Sequence, residues 1–366
     1  MRRTIICGSS VTPARSSAPA DCRSGPAWQR PDMVYLGKQY MHSRGKWETQ
    51  MRRILATSLL AMTLAACGGG TDEAELDAAP DAPPPPAESQ DAPADGETAD
   101  ASMEGEAYTV QTAMDGEWRT DAERERDEFR HPVETLEFFG VEGDDTVIEI
   151  WPGGGWYTNI LAPWLQANGG QFIAAVVTPE RSERAAQALE AYKANYAPYP
   201  DTFGEIGYTY YDSESGPLGE PGSADAVLTF RNIHNWMSGD HADKFFEDAY
   251  AVLKPGGVLG VVEHRLPSAM TLDPSAPSGY VHQDYVTSLA EAAGFQLEAT
   301  SEINANPADT ADHPFGVWTL PPVSRTTDRD GNTPEGFDAA KYQEIGESDR
   351  MTLKFVKPDG SAPADT

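Results

Sequence analysis

The sequence predicts a three-layer α/β/α domain, in which helices cover both faces of a seven-stranded, mostly parallel sheet whose last strand is antiparallel. Three observations predict this fold. From about Tyr108 onwards, apolar runs alternate with amphipathic stretches at the spacing of strand–helix–strand units. A glycine-rich turn joins the first apolar run to the next amphipathic stretch. The last two apolar runs have no convincing crossover helix between them, which favours an antiparallel hairpin.

The predicted strands are short apolar runs. They cover residues 146–150, 171–177, 206–211, 224–230, 258–263, 295–301 and 351–356. The predicted helices cover residues 156–167, 179–196, 241–253 and 281–293. Pro179 suits the first turn of its helix, because the N–H that proline lacks would have no partner there. Residues 304–348 are rich in proline and aspartate and are predicted to form a long loop.

Charge and cysteine content exclude several classes of function. The chain has 366 residues and a net charge of −31, and residues 67–366 alone carry −38. Such a surface repels phosphate backbones, so no nucleic-acid partner is predicted. The three cysteines are Cys7, Cys22 and Cys67, so the segment after residue 67 has neither a disulfide nor a cysteine metal site. No metal centre is predicted.

A secretory signal begins at Met51 with MRRILATSLLAMTLAAC. Two arginines, a short apolar run and small residues precede Cys67, which is the layout of a signal peptide over residues 51–66. The ending Leu64-Ala65-Ala66-Cys67 resembles the bacterial lipobox. That resemblance implies cleavage before Cys67, acylation of its thiol and amino group, and a lipid anchor in a membrane. The alternative is a chance cysteine after a core helix.

The flanking segments are predicted to lie outside the folded domain, which spans residues 107–357. Residues 1–50 are interpreted as mistranslated upstream sequence, with Met51 as the true start; a genuine long leader is the alternative. Residues 67–106 are acidic and proline-rich, and we expect a disordered tether. Residues 358–366 are predicted to be a disordered tail. Gly68, where inner-membrane lipoproteins commonly carry aspartate, favours the periplasmic face of the outer membrane.

The turn after the first strand runs Glu149-Ile-Trp-Pro-Gly153-Gly-Gly155. Glycines there let a backbone approach a ligand closely, and the following helix N-terminus favours an anionic group. The run resembles the nucleotide-binding signature of class I methyltransferases, an acid followed by glycines at plus two, plus four and plus six. Trp151 replaces the first of those glycines. The alternative is an ordinary tight turn without a ligand.

The resemblance implies S-adenosylmethionine as cofactor and a Rossmann-like methyltransferase fold. It implies that Glu149, Gly153 and Gly155 bind that cofactor. In this family an acid at the end of the second strand binds the ribose, and Glu180 is the nearest carboxylate to that position. Asp212 follows the third strand, where the family often places a residue near the adenine; a turn-forming role beside Ser213 is the alternative.

The fourth strand continues into Arg231-Asn232-Ile-His234, and the next strand is preceded by LKPGGVL. Both stretches resemble class I methyltransferases. The resemblance implies that Arg231 and Asn232 contact the cofactor. It also implies that His234 is a general base, which would take a proton from the attacking nucleophile. The alternative is that His234 only packs or lines the cofactor pocket.

Residues 129–357 as a whole resemble a family of predicted bacterial methyltransferases whose substrates are unknown. The resemblance implies methyl transfer from S-adenosylmethionine to a small-molecule acceptor, by a protein that the lipobox exports. The second hypothesis is a binding lipoprotein without catalysis that holds a small ligand or a partner on the same scaffold. A nicotinamide-dependent oxidoreductase is the third, although the glycine spacing lacks Gly-x-Gly-x-x-Gly.

Overall fold

A computed structural model describes residues 107–360. The predictions for residues 1–106, including Cys67, and for residues 361–366 therefore lie outside the described residues. Within them, seven strands form one sheet in the order β3-β2-β1-β4-β5-β7-β6. The strands are β1 Thr146–Ile150, β2 Gln171–Val176, β3 Gly207–Tyr210, β4 Ala224–Phe230, β5 Leu253–His264, β6 Gln296–Ser301 and β7 Arg350–Val356.

Strands β1 to β5 pair in parallel, whereas β7 runs antiparallel to both β5 and β6. The predicted fold class is thereby confirmed, including the antiparallel last strand. In such a sheet the carboxyl ends of β1, β2, β4 and β5 lie at one edge, where ligands of open α/β sheets bind. We call this edge the carboxyl edge.

Helices cover both faces of the sheet. They are α1 Val110–Met114, α2 Asp121–Arg124, α3 Asp127–Arg130, α4 Pro132–Phe139, α5 Thr158–Asn168, α6 Glu183–Tyr196, α7 Pro200–Phe203, α8 Ile233–Ser238, α9 Ala242–Val252, α10 Gln283–Ala293 and α11 Ala339–Ile345. Side chains alternate along each strand, so Val147 packs with α4 and α5 while Ile148 packs with α8 to α10. Two apolar cores result, one on each face.

Most element boundaries differ from the predicted ones by one to five residues, and three differences have identifiable local features. Strand β5 starts at Leu253 rather than 258, because Leu253 pairs with Ala224 before a register shift. Helix α6 starts at Glu183, because the Ser182 hydroxyl caps it by accepting the Ala185 N–H at 3.1 Å. The stretch predicted as one long loop contains α11 and a short 3₁₀ helix, Gly316–Thr319.

Asp309 anchors this 304–348 connection to the domain. Its carboxylate accepts hydrogen bonds from the Tyr280 hydroxyl and from the N–H groups of Ala311 and Asp349. Asp349 directly precedes β7, so the connection is fixed against the carboxyl edge. Among the described helices, none is long and apolar enough to cross a bilayer.

Candidate functional site

The loop between β1 and α5 leaves space over its glycines. Gly153 has φ +60°, which favours glycine, and neither Gly153 nor Gly154 has any heavy atom within 4 Å of where a Cβ would stand. Gly155 has φ +87°, and the Tyr196 hydroxyl lies 1.9 Å from its ideal Cβ position. The first two glycines therefore present open backbone, whereas Gly155 is packed against α6.

Glu149 lies beneath this loop rather than in it. It is 3% exposed, and Oε2 accepts a hydrogen bond from the Thr158 hydroxyl at 3.3 Å. Thr158 in turn contacts the Tyr192 hydroxyl at 2.7 Å. Burial raises the pKa of Glu149 to about 8, so it is largely protonated at neutral pH. Glu149 thus links β1 to α5 and α6 from the interior.

An aromatic cluster of Trp151, Tyr211, Trp236 and His241 fills the space beyond β1. The Trp151 backbone has φ +49°, and its indole N–H donates to the Tyr211 carbonyl at 2.8 Å. Its ring meets Trp236 edge-on at 5.7 Å. The Trp236 indole nitrogen and both His241 ring nitrogens are buried without a hydrogen-bond partner among the described residues. Buried polar atoms without a partner are uncommon in proteins, so these nitrogens are candidates for contact with a ligand.

The two acids predicted for the ribose and the adenine lie in different environments. Asp212 is 5% exposed, and its Oδ1 accepts the Glu214 N–H at 2.8 Å. Burial acts to raise the pKa of Asp212, but the Thr178 side chain, the Glu214 N–H and the Arg181 charge outweigh it and lower that pKa. Glu180 is exposed, in the 3₁₀ turn Pro179–Arg181. Only Asp212 is therefore brought into the interior beside the aromatic cluster.

Asn232 ties the ends of β1 and β4 together. Its Nδ2 donates to the Ile150 carbonyl at 2.9 Å, so the side chain holds the start of the glycine loop in place. Arg231 precedes it with φ +62°, a left-handed conformation that is uncommon for arginine. Its N–H donates to the Val262 carbonyl at 2.7 Å. Both residues lie at the carboxyl edge, where the sequence predicts them.

His234 forms a pair with Glu263, which sequence analysis did not predict. His234 Nδ1 lies 3.1 Å from Glu263 Oε1, and both side chains are buried. The same carboxylate accepts the N–H of Ile233 at 2.6 Å and of His264 at 2.8 Å. The contact between Nδ1 and Oε1 fits the tautomer in which Nδ1 donates its hydrogen to the carboxylate. Nε2 of His234 is then the lone-pair nitrogen.

His264 lies beside this pair. Its ring is 5.5 Å from that of His234, and Nδ1 is 2.5 Å from the Ser348 hydroxyl. Ligand atoms of His234, Glu263 and His264 all lie within 4.8 Å of one another, which is close enough to hold a metal ion. Burial lowers the pKa of His264 well below its ordinary value, and the positive charges of Arg231 and Arg350 lower it further.

An arginine cluster borders the histidines. It consists of Arg126, Arg130, Arg231 and Arg350 around Glu347. Glu347 is 3% exposed and pairs with Arg126 at 2.7 Å, Arg130 at 3.2 Å and Arg350 at 2.9 Å. Burial acts to raise the pKa of Glu347, but the charges of Arg350, Arg231 and Arg126 outweigh it, so this pKa is lowered. The carboxylate is therefore ionised at neutral pH.

The residues predicted for the site from the sequence do not include Glu263, His264, Glu347 and Arg350. A signal for two of them exists in the charged run Glu347-Ser-Asp-Arg350, which stands directly before an apolar strand. Charges at the end of a buried strand are costly unless they are paired or bind a ligand. The carboxyl edge thus combines an open glycine loop, a histidine–carboxylate pair and a cluster of arginines.

A larger cavity lies at the opposite, amino edge of the sheet. It has a volume of about 250 Å³ and is bordered by Asp145, Asp225, Lys254 and the Pro255–Val258 stretch. Lys254 is paired with Asp225 at 2.7 Å, and its side chain is 45% exposed. The one lysine of this cavity is thus already paired, and no predicted site residue lies in the cavity.

Part of the chain, including the loop and strands at the carboxyl edge, matches a known family. Residues 149–261 match a family model described as a methyltransferase domain. This match spans the glycine loop, β4 and most of β5, and it indicates S-adenosylmethionine as the cofactor. A search of curated proteins finds none that matches the chain.

Solved structures resemble the chain at low identity. The [4+2]-cyclase SpnF is 18% identical, with a TM-score of 0.43, over 63% of this chain and 81% of its own. A SAM-dependent methyltransferase from Aquifex aeolicus is 20% identical (TM-score 0.37; 49% and 87% covered). A TehB-like SAM-dependent methyltransferase from Corynebacterium glutamicum is 12% identical (TM-score 0.36; 64% and 95% covered). At such identity the likeness says nothing of activity.

The residues present fit this cofactor at the glycine loop and only partly beyond it. Gly153 and Gly154 offer open backbone before the N-terminus of α5, and orphan nitrogens of Trp236 and His241 lie close by. The Trp151 indole, however, packs into the aromatic cluster where the first glycine of the family pattern would leave room. A cofactor on this loop would have to contact or displace that indole.

Proposed function

We propose that this chain transfers the methyl group of S-adenosylmethionine to a small acceptor, with His234 as general base. One observation carries the proposal: Glu263 orients His234 at 3.1 Å, and Asn232, two residues earlier, holds the glycine loop at 2.9 Å. The base and the cofactor loop are therefore fixed to each other by one short segment at the end of β4. A base oriented by a carboxylate is a recurring catalytic arrangement.

The cofactor would lie on the Gly153–Gly154 backbone, with its anionic end toward the N-terminus of α5. Asp212 and the aromatic cluster would border its nucleoside. When bound, the cofactor supplies an activated methyl group. Holding that group in line with the nucleophile is worth more to such a reaction than covalent assistance.

His234 would act on the acceptor. The Glu263 carboxylate accepts the Nδ1 hydrogen, so Nε2 is free to take a proton from an acceptor hydroxyl, thiol or amine. As the imidazole becomes positively charged, Glu263 stabilises that charge, because the two side chains are both buried. The proton then leaves to solvent after the product departs.

The test uses the full chain in two steps. Calorimetric titration with S-adenosylmethionine and S-adenosylhomocysteine measures binding, and transfer of a labelled methyl group to a panel of hydroxyl, thiol and carboxylate compounds measures activity. We expect both cofactor forms to bind and at least one acceptor class to be methylated. No measurable affinity for either form would overturn the proposal.

The second candidate is a binding protein without catalysis. The Trp151 indole in the cofactor crevice and the exposed Glu180 favour it. Trp151→Gly restores the glycine of the family pattern and distinguishes the two. If the wild type binds no cofactor and the variant does, the chain uses this scaffold for another ligand. If both bind, Trp151 stacks on the cofactor or moves aside.

We further propose that the protein is exported and lipid-anchored through Cys67, because the lipobox and signal peptide occur in register. The anchor would place the domain at the cell envelope, on the periplasmic face of the outer membrane. Cys67→Ser should release the protein from the membrane fraction or block its processing. A variant that is still acylated and sediments unchanged would show that the anchor lies elsewhere.

A further inference from the structure

The four guanidiniums of the arginine cluster outnumber its single carboxylate, Glu347. Arg126, Arg130 and Arg350 share the single carboxylate of Glu347. Arg231 adds a fourth guanidinium, which forms no hydrogen bond or close ion pair among the described residues but does interact electrostatically with Glu347. This excess lies in a chain whose net charge is −31. Four guanidiniums that share one buried carboxylate leave positive charge in excess, and such an excess in a buried or half-buried cluster favours binding of an anion.

The cluster also has an unused donor that points to such a ligand. Arg130 is 2% exposed, its Nε pairs with Glu347, and its Nη2 is buried without a partner. A cavity of about 10 Å³ lies among Arg130, Arg231, Arg350 and Asn304. That volume accommodates one water-sized oxygen, so a carboxylate there would place a single oxygen in the cavity and lie otherwise outside it. The rings of Tyr157 and Phe230, stacked at 3.6 Å, form its apolar wall.

The same charges disfavour a metal ion. The triad His234, Glu263 and His264 has metal-ligand spacing, but Arg231 and Arg350 place positive charge next to it. A divalent cation there would be repelled by both guanidiniums, whereas an oxyanion would be attracted by both. Guanidiniums also match the geometry of a carboxylate, because two parallel N–H groups bind its two oxygens.

We propose that the arginine cluster binds a carboxylate of the methyl acceptor and so holds the acceptor beside His234. The cluster lies on the acceptor side: Arg231 stands three residues before His234, and Arg350 pairs in register with His264 across β5 to β7. The glycine loop follows β1, two strands away from β5. This inference rests on the proposed function for the role of the anion as acceptor.

The experiment titrates malonate, as a probe carboxylate, into the full chain with and without saturating S-adenosylhomocysteine. Malonamide, which has the same shape and no charge, is the matched ligand. Arg231→Gln removes the guanidinium of Arg231. Arg231→Lys keeps the positive charge but lacks the two parallel N–H groups of arginine. Arg329→Gln, at an exposed position, is the control variant. Far-ultraviolet circular dichroism confirms that each variant is folded.

We expect malonate but not malonamide to bind the wild type. Arg231→Gln should weaken malonate binding about 10- to 100-fold, which is typical of a lost charged hydrogen bond. Arg231→Lys should weaken it less, and Arg329→Gln not at all. The family resemblance implies that Arg231 contacts the cofactor; if the cluster serves the acceptor instead, the affinity for S-adenosylhomocysteine should stay unchanged in all variants.

Two results would overturn the inference. Equal binding of malonate to the wild type and to Arg231→Gln would show that malonate binds away from Arg231, and the proposal would fail. A matching loss of S-adenosylhomocysteine affinity in Arg231→Gln would show that the cluster holds the carboxylate of the cofactor instead. Failure of the proposed function is a separate result: the wild type would then bind malonate, with Arg231 required, but no S-adenosylhomocysteine.

Discussion

The two halves of the carboxyl edge differ in chemistry. Beyond β1 and β3, the aromatic cluster contributes large apolar rings whose polar atoms are few. Beyond β4, β5 and β7, the histidines and the arginine cluster contribute charges that pair across long sequence separations. Rings suit a flat nucleoside, and paired charges suit proton transfer and anion binding. Under the proposed function, this difference would divide the site into a cofactor half and an acceptor half.

The strongest test of this division is His234→Gln. If His234 serves the acceptor half alone, the rate of methyl transfer should fall about 10²- to 10⁴-fold while the affinity for S-adenosylhomocysteine is unchanged. Rates with an identified acceptor and calorimetry on the same protein measure both quantities. Acceptors that are already deprotonated should show a smaller loss. A parallel loss of rate and affinity would place His234 in the cofactor half.

Glu347→Gln should have the largest effect on stability in the charged half. It removes the carboxylate that pairs with Arg126, Arg130 and Arg350, so the free energy of unfolding should fall by about 3–5 kcal/mol at pH 7. Because the pKa of Glu347 is lowered on folding, its contribution is present above the unfolded pKa and is lost as the pH falls through the folded value.

Urea unfolding of the wild type and the variant between pH 3 and pH 7 measures this effect. The control is Glu214→Gln, which removes an exposed carboxylate that pairs with Arg181 and should change stability by less than about 1 kcal/mol. If the two variants are equally stable, the arginine cluster does not depend on Glu347.

Glu149→Gln tests the interior beneath the glycine loop. Unlike Glu347→Gln, it should make the domain more stable, and the effect should grow as the pH rises. Folding raises the pKa of Glu149 from 4.5 to about 8, so its stabilising protonated form is lost as the pH rises across that window. Glutamine stays neutral and keeps an acceptor for the Thr158 hydroxyl. We expect the variant to be more stable by roughly 2–4 kcal/mol at pH 8 and similar to the wild type at pH 4.

Thermal unfolding across this range measures the difference. A wild type whose stability does not fall between pH 4.5 and 8, after subtraction of the variant's own pH dependence, would contradict the raised pKa.

Gly154→Ala should have the smallest effect on stability, but it should weaken binding of the cofactor. Its Cβ would meet no heavy atom within 4 Å, so stability should change by less than about 1 kcal/mol. A methyl group there would obstruct a ligand on the loop, so S-adenosylhomocysteine affinity should fall about tenfold. Gly155→Val is the contrast, because Tyr196 blocks its side chain and it should lose stability as well. If Gly154→Ala binds S-adenosylhomocysteine as tightly as the wild type, the cofactor does not bind on this loop.

Sequence reasoning was successful where the signal was local. The strand Thr146–Ile150 and the strand Ala224–Phe230 have the predicted bounds, because each is a continuous apolar run with clear turn residues around it. The glycine loop and His234 were also predicted from local sequence, and their roles in the site stay predictions. Glu180 was predicted from its position in the chain, but the strand ends at Val176 and leaves that side chain exposed.

The partners of the charged half were not found because they are distant in the sequence. Glu263 reaches His234 only because β4 and β5 are neighbours in register, and Glu347 reaches Arg130 only because β7 inserts beside β5. No periodicity or motif within a short window encodes such pairings. These pairings follow from the order and register of the strands. The sequence predicts the fold class but not that order or register.

The pairing of Arg126 and Arg130 with Glu347 has a consequence for folding order. Their carboxylate partner lies 221 and 217 residues later in the chain. During synthesis, α3 therefore emerges long before its charges can be neutralised, and closing so large a loop is entropically costly. Contacts of such long range form slowly. The charged half of the site should be the last part of the domain to assemble, after β7 has joined the sheet.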